Sequence, residues 1–402
     1  MLSYLQAREL IDKEFDNLDL KIEEAELETA LNRTLAEDVY ADVNLPSFNN
    51  SAVDGIAIKF NNPIKEWNII GEISAGNYSE LNIVDTSAVT IMTGAKVPDF
   101  CDTVIPLEDY VMNKDKVSLN EDAKFKKGMN IRKQGSDVNK GELILSKGLQ
   151  LNPRNIAAAA SCGKSRLKVY SKLKFAVLAT GDELIDVNEK PSGDKIRISN
   201  TYGLCSAIEE LWQTSVNLSF ITDDRETLTR KIKDILNSDI NILITTGGVS
   251  VGKFDYLKDV FAELGVKEIF WRANIKPGKP AFLGKYENYG KSILVFGLPG
   301  NPVSCMVNFD VYIRPNIITK YGLAETEYIS AELENDILKN DKKRHFIRGN
   351  IRKDNSGMYL VTSKKSQSSG NLVGFSSSNC LIVIEEEKLS PKKGEIVKCI
   401  RM

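Results

Sequence analysis

The sequence predicts a multidomain α/β protein centred on a doubly wound, mostly parallel sheet, and three observations carry that prediction. From Lys172 onward, apolar runs of strand length alternate with amphipathic stretches of helix length. Each of those strands ends in a loop dominated by Gly, Asp, Thr or Pro. The flanking regions read differently, with short strands and turns from Ser51 to about Leu145 and strands again beyond Tyr321.

In chain order, Ser3 is a plausible N-cap for a helix to Phe15, with Ala7, Leu10 and Ile11 on one face. A second helical stretch is expected over Glu23 to Leu35. After Pro46 come short strands such as 67–73, 87–92 and 102–107. LQLNPRNIAAAASCG (149–163) predicts a short helix with Pro153 in its first turn and Gly163 as its stop. If it packs back on the N-terminal helices, the strand-rich block is an insertion.

KFAVLAT then opens the alternation, followed by a helix with Leu204, Ile208 and Leu211 aligned, strand 217–223, and a helix aligning Leu228, Ile232 and Ile235. The unbroken apolar run of INILITT predicts a strand buried on both faces. Helix 255–264, strand 292–298 and helix 303–313 complete the series. Segments 344–351, 358–363, 379–385 and 395–401 predict a small C-terminal β-barrel or sandwich. The expected division is a small helical linking domain (1–45 with 144–172), a β-rich insertion (46–143), an α/β domain (173–325) and a C-terminal β-barrel (326–402).

Composition narrows the function. The 402 residues carry 53 basic and 55 acidic side chains, a net charge of −2, without the basic excess of nucleic-acid or membrane-surface proteins. The longest apolar runs, such as Ile293 to Phe296, are too short to span a bilayer. The opening MLSYLQARELIDKEF lacks the apolar stretch of a secretory leader, so a cytoplasmic protein is expected. Cys101, Cys162, Cys205, Cys305, Cys380 and Cys399 form no CxxC pair and read as isolated reduced thiols. One histidine, His345, leaves no basis for a Ser-His-Asp triad or a His-rich metal site. Carboxylates, lysines and backbone amides must carry any chemistry.

Ligands of parallel sheets bind beyond the carboxyl ends of the strands, and four loops there are unusual. ATGDEL places Thr180, Asp182 and Glu183 after a strand; ITDDRE places Asp223 and Asp224. TTGGVSVGKFDY offers Gly247, Gly248 and Ser250 as an anion cradle with Asp255 opening the next helix. GLPGNPVS sets Pro299, Gly300 and Pro302 in a rigid turn before Ser304. Any one loop reads equally as a turn and cap, but four on one edge read as a site. Neither glycine loop has Walker A or GxGxxG spacing. IKPGKP adds Lys276 and Lys279 on a stiff turn, suited to an oxyanion. Glu183, Asp224 and Asp255 facing an anion call for a cation between them, and Mg²⁺ is expected.

TTGGVSVGKFDY, IKPGKP and GLPGNPVS together resemble the molybdopterin molybdenumtransferase family, known as MoeA in bacteria and as the E domain of gephyrin in animals. LPSFNNSAVDGIAI (45–58), IMTGAKVPDFCDTVIPLED (91–109) and NIRKQGSDV (130–138) resemble further blocks of that family, in its order. The resemblance implies transfer of molybdenum from molybdate to the dithiolene of adenylylated molybdopterin, with release of AMP and dependence on Mg²⁺. It implies a homodimer with the site shared between subunits, so that Asp54, Thr93 and Asp137 come from the partner and Glu183, Asp224 and Asp255 from the sheet. Lys276, Lys279 and Ser304 would hold oxyanions, and Arg348 with Ser369 would complete a molybdate pocket. Val53 and Ile56 stand where Met and Tyr are usual, and Cys101 falls near the expected interface, where it reads as a small buried residue. Two alternatives fit parts of the chain: an adenylyltransferase of MogA type, itself a possible partner, and a gephyrin-like scaffold.

Overall fold

The computed structural model describes residues 1–61, 63–77, 81, 84–248, 256–324 and 328–402. Two compact units divide the chain. One comprises 1–23, 32–34 and 170–402, the other 24–31 and 35–169.

The larger unit holds the predicted sheet. Its elements are β1 (Lys174–Thr180), α1 (Asn200–Glu210), β2 (Thr214–Ile221), α2 (Arg225–Asn237), β3 (Ile242–Thr246), α3 (Leu257–Glu263), β4 (Lys267–Trp271), β5 (Ile275–Lys276), β6 (Phe282–Asn288), β7 (Lys291–Leu298), α4 (Pro302–Asn308) and α5 (Arg314–Tyr321). The strand order is β2-β1-β3-β7-β6-β4. β2, β1, β3 and β7 run parallel, while β6 and β4 add an antiparallel edge. That edge was not expected, because KEIFW and FLGKYEN interrupt their apolar residues with charge and glycine.

The pleat sends alternate side chains to opposite faces. Phe175 and Val177 join Leu204, Ile208 and the N-terminal helix (Tyr4–Asp16) in one core. Ala176 and Leu178 join Leu228, Ile232 and Phe261 in the other. Each Leu, Ile or Phe so buried contributes roughly 1.5–3 kcal/mol. All five residues of β3 are buried, as a strand covered on both faces requires. The N-terminal helix starts in a capping box between Ser3 and Gln6. Between α4 and α5 the expected helix passes through a π-helical turn, Phe309–Ile313.

β8 (Tyr328–Leu333), β9 (Arg344–Lys353), β10 (Tyr359–Ser363), β11 (Cys380–Ile384) and β12 (Ile396–Arg401) follow. They pair in the order β9-β10-β8-β12-β11, and β11 pairs back to β9, closing a five-stranded barrel. β5 lies parallel to β9, with Lys276 opposite His345.

In the smaller unit, strands 103–106, 55–58, 87–91, 66–73, 116–119 and 110–113 form one sheet in that order. The helix expected over Glu23 to Leu35 is absent: Ile22–Glu26 is a strand paired with Arg166–Tyr170, followed by a 3-10 turn at Leu27–Thr29. Sheet pairing overrides a helix propensity that is only a weak prior, and Asn32, at a φ of 62°, ends any continuation. The helix Pro153–Ser161 does form, and its Ala159 packs with Ala25, Ala30, Leu35 and Val39, which are not helical. No described helix is long and apolar enough to cross a membrane.

Candidate functional site

Two cavities sharing Pro280 and Ser304 open in the larger unit. The first, about 560 Å³, lies at the carboxyl ends of β1, β3 and β7. Thr180, Glu183, Gly247, Gly248, Pro299, Pro302 and Ser304, all singled out in the sequence, line it. Its floor is backbone. Gly247 has a φ of 90°, and a Cβ there would lie 2.3 Å from the Thr180 carbonyl oxygen. At Gly248, φ 61°, a Cβ would approach Leu257 Cδ1 to 2.7 Å and Thr180 Oγ1 to 2.9 Å. A Cβ on Gly300 would meet the Gly247 Cα at 3.5 Å, an ordinary van der Waals contact, so the two glycine loops lie about one side-chain carbon apart. At Gly247 and Gly248 only glycine combines these dihedrals with such approach.

Buried polar atoms here lack partners. Thr180 Oγ1 has no hydrogen bond, nor does Asn200 Oδ1, although Asn200 Nδ2 donates to the Gly300 carbonyl at 2.8 Å. Buried groups of this kind normally find a partner, and in this cavity a ligand can supply it. Asn200 was missed in the sequence because it opens a helix, where asparagine is a routine capping residue.

The second cavity, about 620 Å³, is basic. Lys276, Lys279, Ser304 and Ser369 line it as grouped above, and Lys343, Lys364 and Lys365 join them from the barrel. Asn308, fully buried, fixes the lysine turn by donating from Nδ2 to the carbonyls of Gly278 (3.1 Å) and Ser304 (2.8 Å). The Val303 amide donates to the Ser369 carbonyl at 3.0 Å, joining the start of α4 to the barrel loop.

Two expected ligand residues stand elsewhere. Arg348 is 1% exposed and lines neither cavity. Its guanidinium donates to the carbonyls of Asn371 (2.8 Å), Ser366 (2.8 Å) and Ser368 (3.0 Å). It shapes the loop that presents Ser369. Asp224 also lies outside the cavity lining. It caps α2, its Oδ2 accepting from the Thr227 amide at 2.8 Å, and the hydrogen bonds from Thr227 hold its pKa below the usual carboxylate range. Ser250 and Asp255 lie outside the described residues.

Asp54, Thr93 and Asp137 belong to the smaller unit. Asp54 Oδ1 accepts from the Thr93 amide (2.6 Å) and hydroxyl (2.7 Å), which lowers its pKa. The Gly94 amide donates to Ser51 and the Ala52 amide to Asn130, while Asp137 donates its amide to Leu45. The three blocks quoted above therefore form one hydrogen-bonded corner. Ile56 is wholly buried in the sheet core. Burial pushes the Cys101 thiol up to about 12, as suits a packed residue and not a nucleophile.

Among the described residues no group of three or more His, Cys, Asp or Glu is placed to hold a metal ion. Glu183 alone brings a described carboxylate to the first cavity. That fits a cation held by one or two carboxylates and completed by ligand phosphates, not a closed protein cage.

A polar cleft at a parallel sheet edge, adjoining a lysine-lined chamber, defines an anion-binding α/β protein with accessory β-domains. Comparison with known proteins narrows that class. Residues 176–319 match the family described as "Probable molybdopterin binding domain". Residues 2–163 match the MoeA N-terminal region (domain I and II), and residues 330–401 the MoeA C-terminal region (domain IV). A molybdopterin molybdenumtransferase of Haemophilus influenzae is 36% identical over 377 residues, 92% of this chain and 91% of that protein. One of Bacillus subtilis is 31% identical over 387 residues, 93% and 88% of the two chains. A crystal structure of the molybdopterin biosynthesis MoeA protein from Pyrococcus horikoshii superposes with a TM-score of 0.79 at 26% identity, covering 100% of both chains. The chain belongs to the MoeA family of molybdopterin molybdenumtransferases.

Proposed function

We propose that this protein is a transferase of molybdenum cofactor biosynthesis, moving molybdenum from molybdate to the dithiolene of adenylylated molybdopterin and releasing AMP. The observation that carries the reading is the pair of adjoining cavities, one floored by glycine backbone and one walled by lysine, meeting at Ser304. The first suits a pterin bearing a phosphoanhydride and the second a tetrahedral oxyanion. Thr180 and Asn200 offer unpartnered oxygens to ligand N–H or O–H groups. Lys276, Lys279, Lys343, Lys364 and Lys365 draw in the oxyanion and stabilise charge that develops during transfer. Ser304, which lines both cavities, aligns the two substrates, and alignment of that kind removes much of the entropic barrier.

We further propose that the reaction depends on Mg²⁺, which would be held through Glu183, with Asp224 and Asp255 as the other candidates, and which supplies charge neutralisation at the phosphoanhydride. The corner of Asp54, Thr93 and Asp137 would complete the site from the partner subunit of a homodimer. The four-part division at 46, 144, 173 and 326 belongs to the same reading, as do a cytoplasmic location and delivery of the adenylylated substrate by a MogA-type adenylyltransferase. An adenylyltransferase activity of this chain itself would leave the segments before residue 174 and after residue 321 without a role. A scaffold would leave the orphaned cavity oxygens without one.

The test supplies purified protein with adenylylated molybdopterin, molybdate and Mg²⁺. AMP appears in step with molybdate consumption; no AMP from competent substrate overturns the reading.

A further inference from the structure

The chain's one histidine lies in the wall of the lysine-lined cavity. His345 is 5% exposed, and its Nε2 is 2.8 Å from Asp341 Oδ1. The same oxygen accepts the Lys343 amide at 3.0 Å, and Asp341 Oδ2 is 3.9 Å from Lys276 Nζ. The parallel register of β5 and β9 sets Lys276 beside His345. One carboxylate is thus divided between the imidazole and a lysine of the cavity.

The remaining surroundings are fixed. Lys339 also faces the ring, but its ammonium is held by the carbonyls of Glu385 (3.0 Å), Glu386 (2.8 Å) and Lys388 (2.9 Å). On the β11 side the register partner is Ile384. Lys276, with its side chain 59% exposed, is the member free to move. We propose that Asp341 and His345 are positioning residues for Lys276: with a neutral ring Asp341 draws the ammonium out of the cavity, and an imidazolium takes over the carboxylate and leaves Lys276 to the bound oxyanion.

This rests on the reading of the cavity as an oxyanion subsite. The direction of its pH dependence follows from the charges. Burial, with Lys276 and Lys339 adding to it, lowers the His345 pKa against the opposing pull of Asp341. Burial opposes ionisation of Asp341, yet the Lys343 amide and His345 hold it below the usual range. The ring therefore stays neutral at pH 8 and gains its proton only below the ordinary histidine value of about 6.5. Oxyanion affinity rises as pH falls through that lowered value. For a half-exposed lysine the gain is on the order of threefold.

Sulfate is the probe, because it stays a dianion throughout. Its binding to the full chain is measured by calorimetry from pH 8 to pH 5. Wild type tightens by about threefold; His345→Gln stays at the weak value at every pH; Asp341→Asn is tight at every pH. The half-exposed loop position of Asp341 keeps that variant folded if His345→Gln is not. A wild-type protein that binds sulfate with no pH dependence, or a dependence surviving in His345→Gln, overturns the positioning role. Failure to bind sulfate at any pH overturns instead the oxyanion subsite beneath it.

Discussion

The two cavities that meet at Ser304 hold charge by opposite means. In the first, backbone does the work: Gly247 closes on the Thr180 carbonyl, Gly248 on the side chains of Leu257 and Thr180, and the polar atoms offered to a ligand are fixed by a buried strand and the start of α1. In the second, long side chains do it: five lysines drawn from β5 and its turn, the strap before β9 and the loop after β10 converge on one space. A backbone floor is rigid and cannot be retuned by charge. A lysine wall is mobile, screened by salt and adjustable one residue at a time. Geometry belongs to the first cavity and attraction to the second.

Substitutions can break that contrast, and the largest effect belongs to the floor. Gly247→Ala places a methyl group against the Thr180 carbonyl at a positive φ. It should destabilise the protein by about 1–3 kcal/mol and cut AMP release on the order of a hundredfold, read by thermal denaturation and by turnover. A variant as active as wild type would end the account of a close-packed floor. Asn308→Ala comes next. It leaves the Gly278 and Ser304 carbonyls without their donor in a buried setting, costing about 1–3 kcal/mol, and loosens the lysine turn. The molybdate concentration for half-maximal turnover should rise with it, while pterin binding holds.

Lys279→Ala acts on attraction alone. Molybdate affinity should fall by about tenfold, more steeply at low salt than at high, with unfolding temperature unchanged. Loss of fold, or equal loss at all salt concentrations, would show that this lysine is structural. The smallest effect concerns Asp54. Hydrogen bonds from Thr93 depress its pKa, so the anchoring they provide is complete above the unfolded carboxylate value and disappears as pH falls through the lower folded one. NMR titration of the Thr93 amide should follow that transition below pH 4, in the acid range where an unperturbed aspartate has already gained its proton. Asp54→Asn should remove it while the sheet around it stays folded.

How much could be read beforehand follows the same division. The floor was legible because its signals are local: glycines at fixed offsets after an apolar strand need only a few consecutive residues to be recognised. The alternation of strand and helix was legible for the same reason. The lysine wall was half legible. Lys276 and Lys279 sit in one short motif, but Lys343, Lys364 and Lys365 are ordinary charged residues until barrel closure brings them in. Asn308 carries no signal at all, since its importance lies in a carbonyl 30 positions away. Arg348 shows the reverse case. A family position suggested a ligand contact, whereas its donors answer loop carbonyls whose location no sequence pattern announces. Glu23 to Leu35 failed because a partner strand more than a hundred residues away decided its conformation.

The close fit of Gly247 against the Thr180 carbonyl bears on how this site can change over time. A residue that meets a neighbouring carbonyl with no side chain of its own offers selection nothing to vary; every substitution at Gly247 adds atoms where none fit. Divergence in which oxyanion or pterin is accepted must therefore run through the rim, where single lysines can be exchanged without moving the frame. Descendants of this chain would be expected to keep an unaltered floor beneath walls that drift.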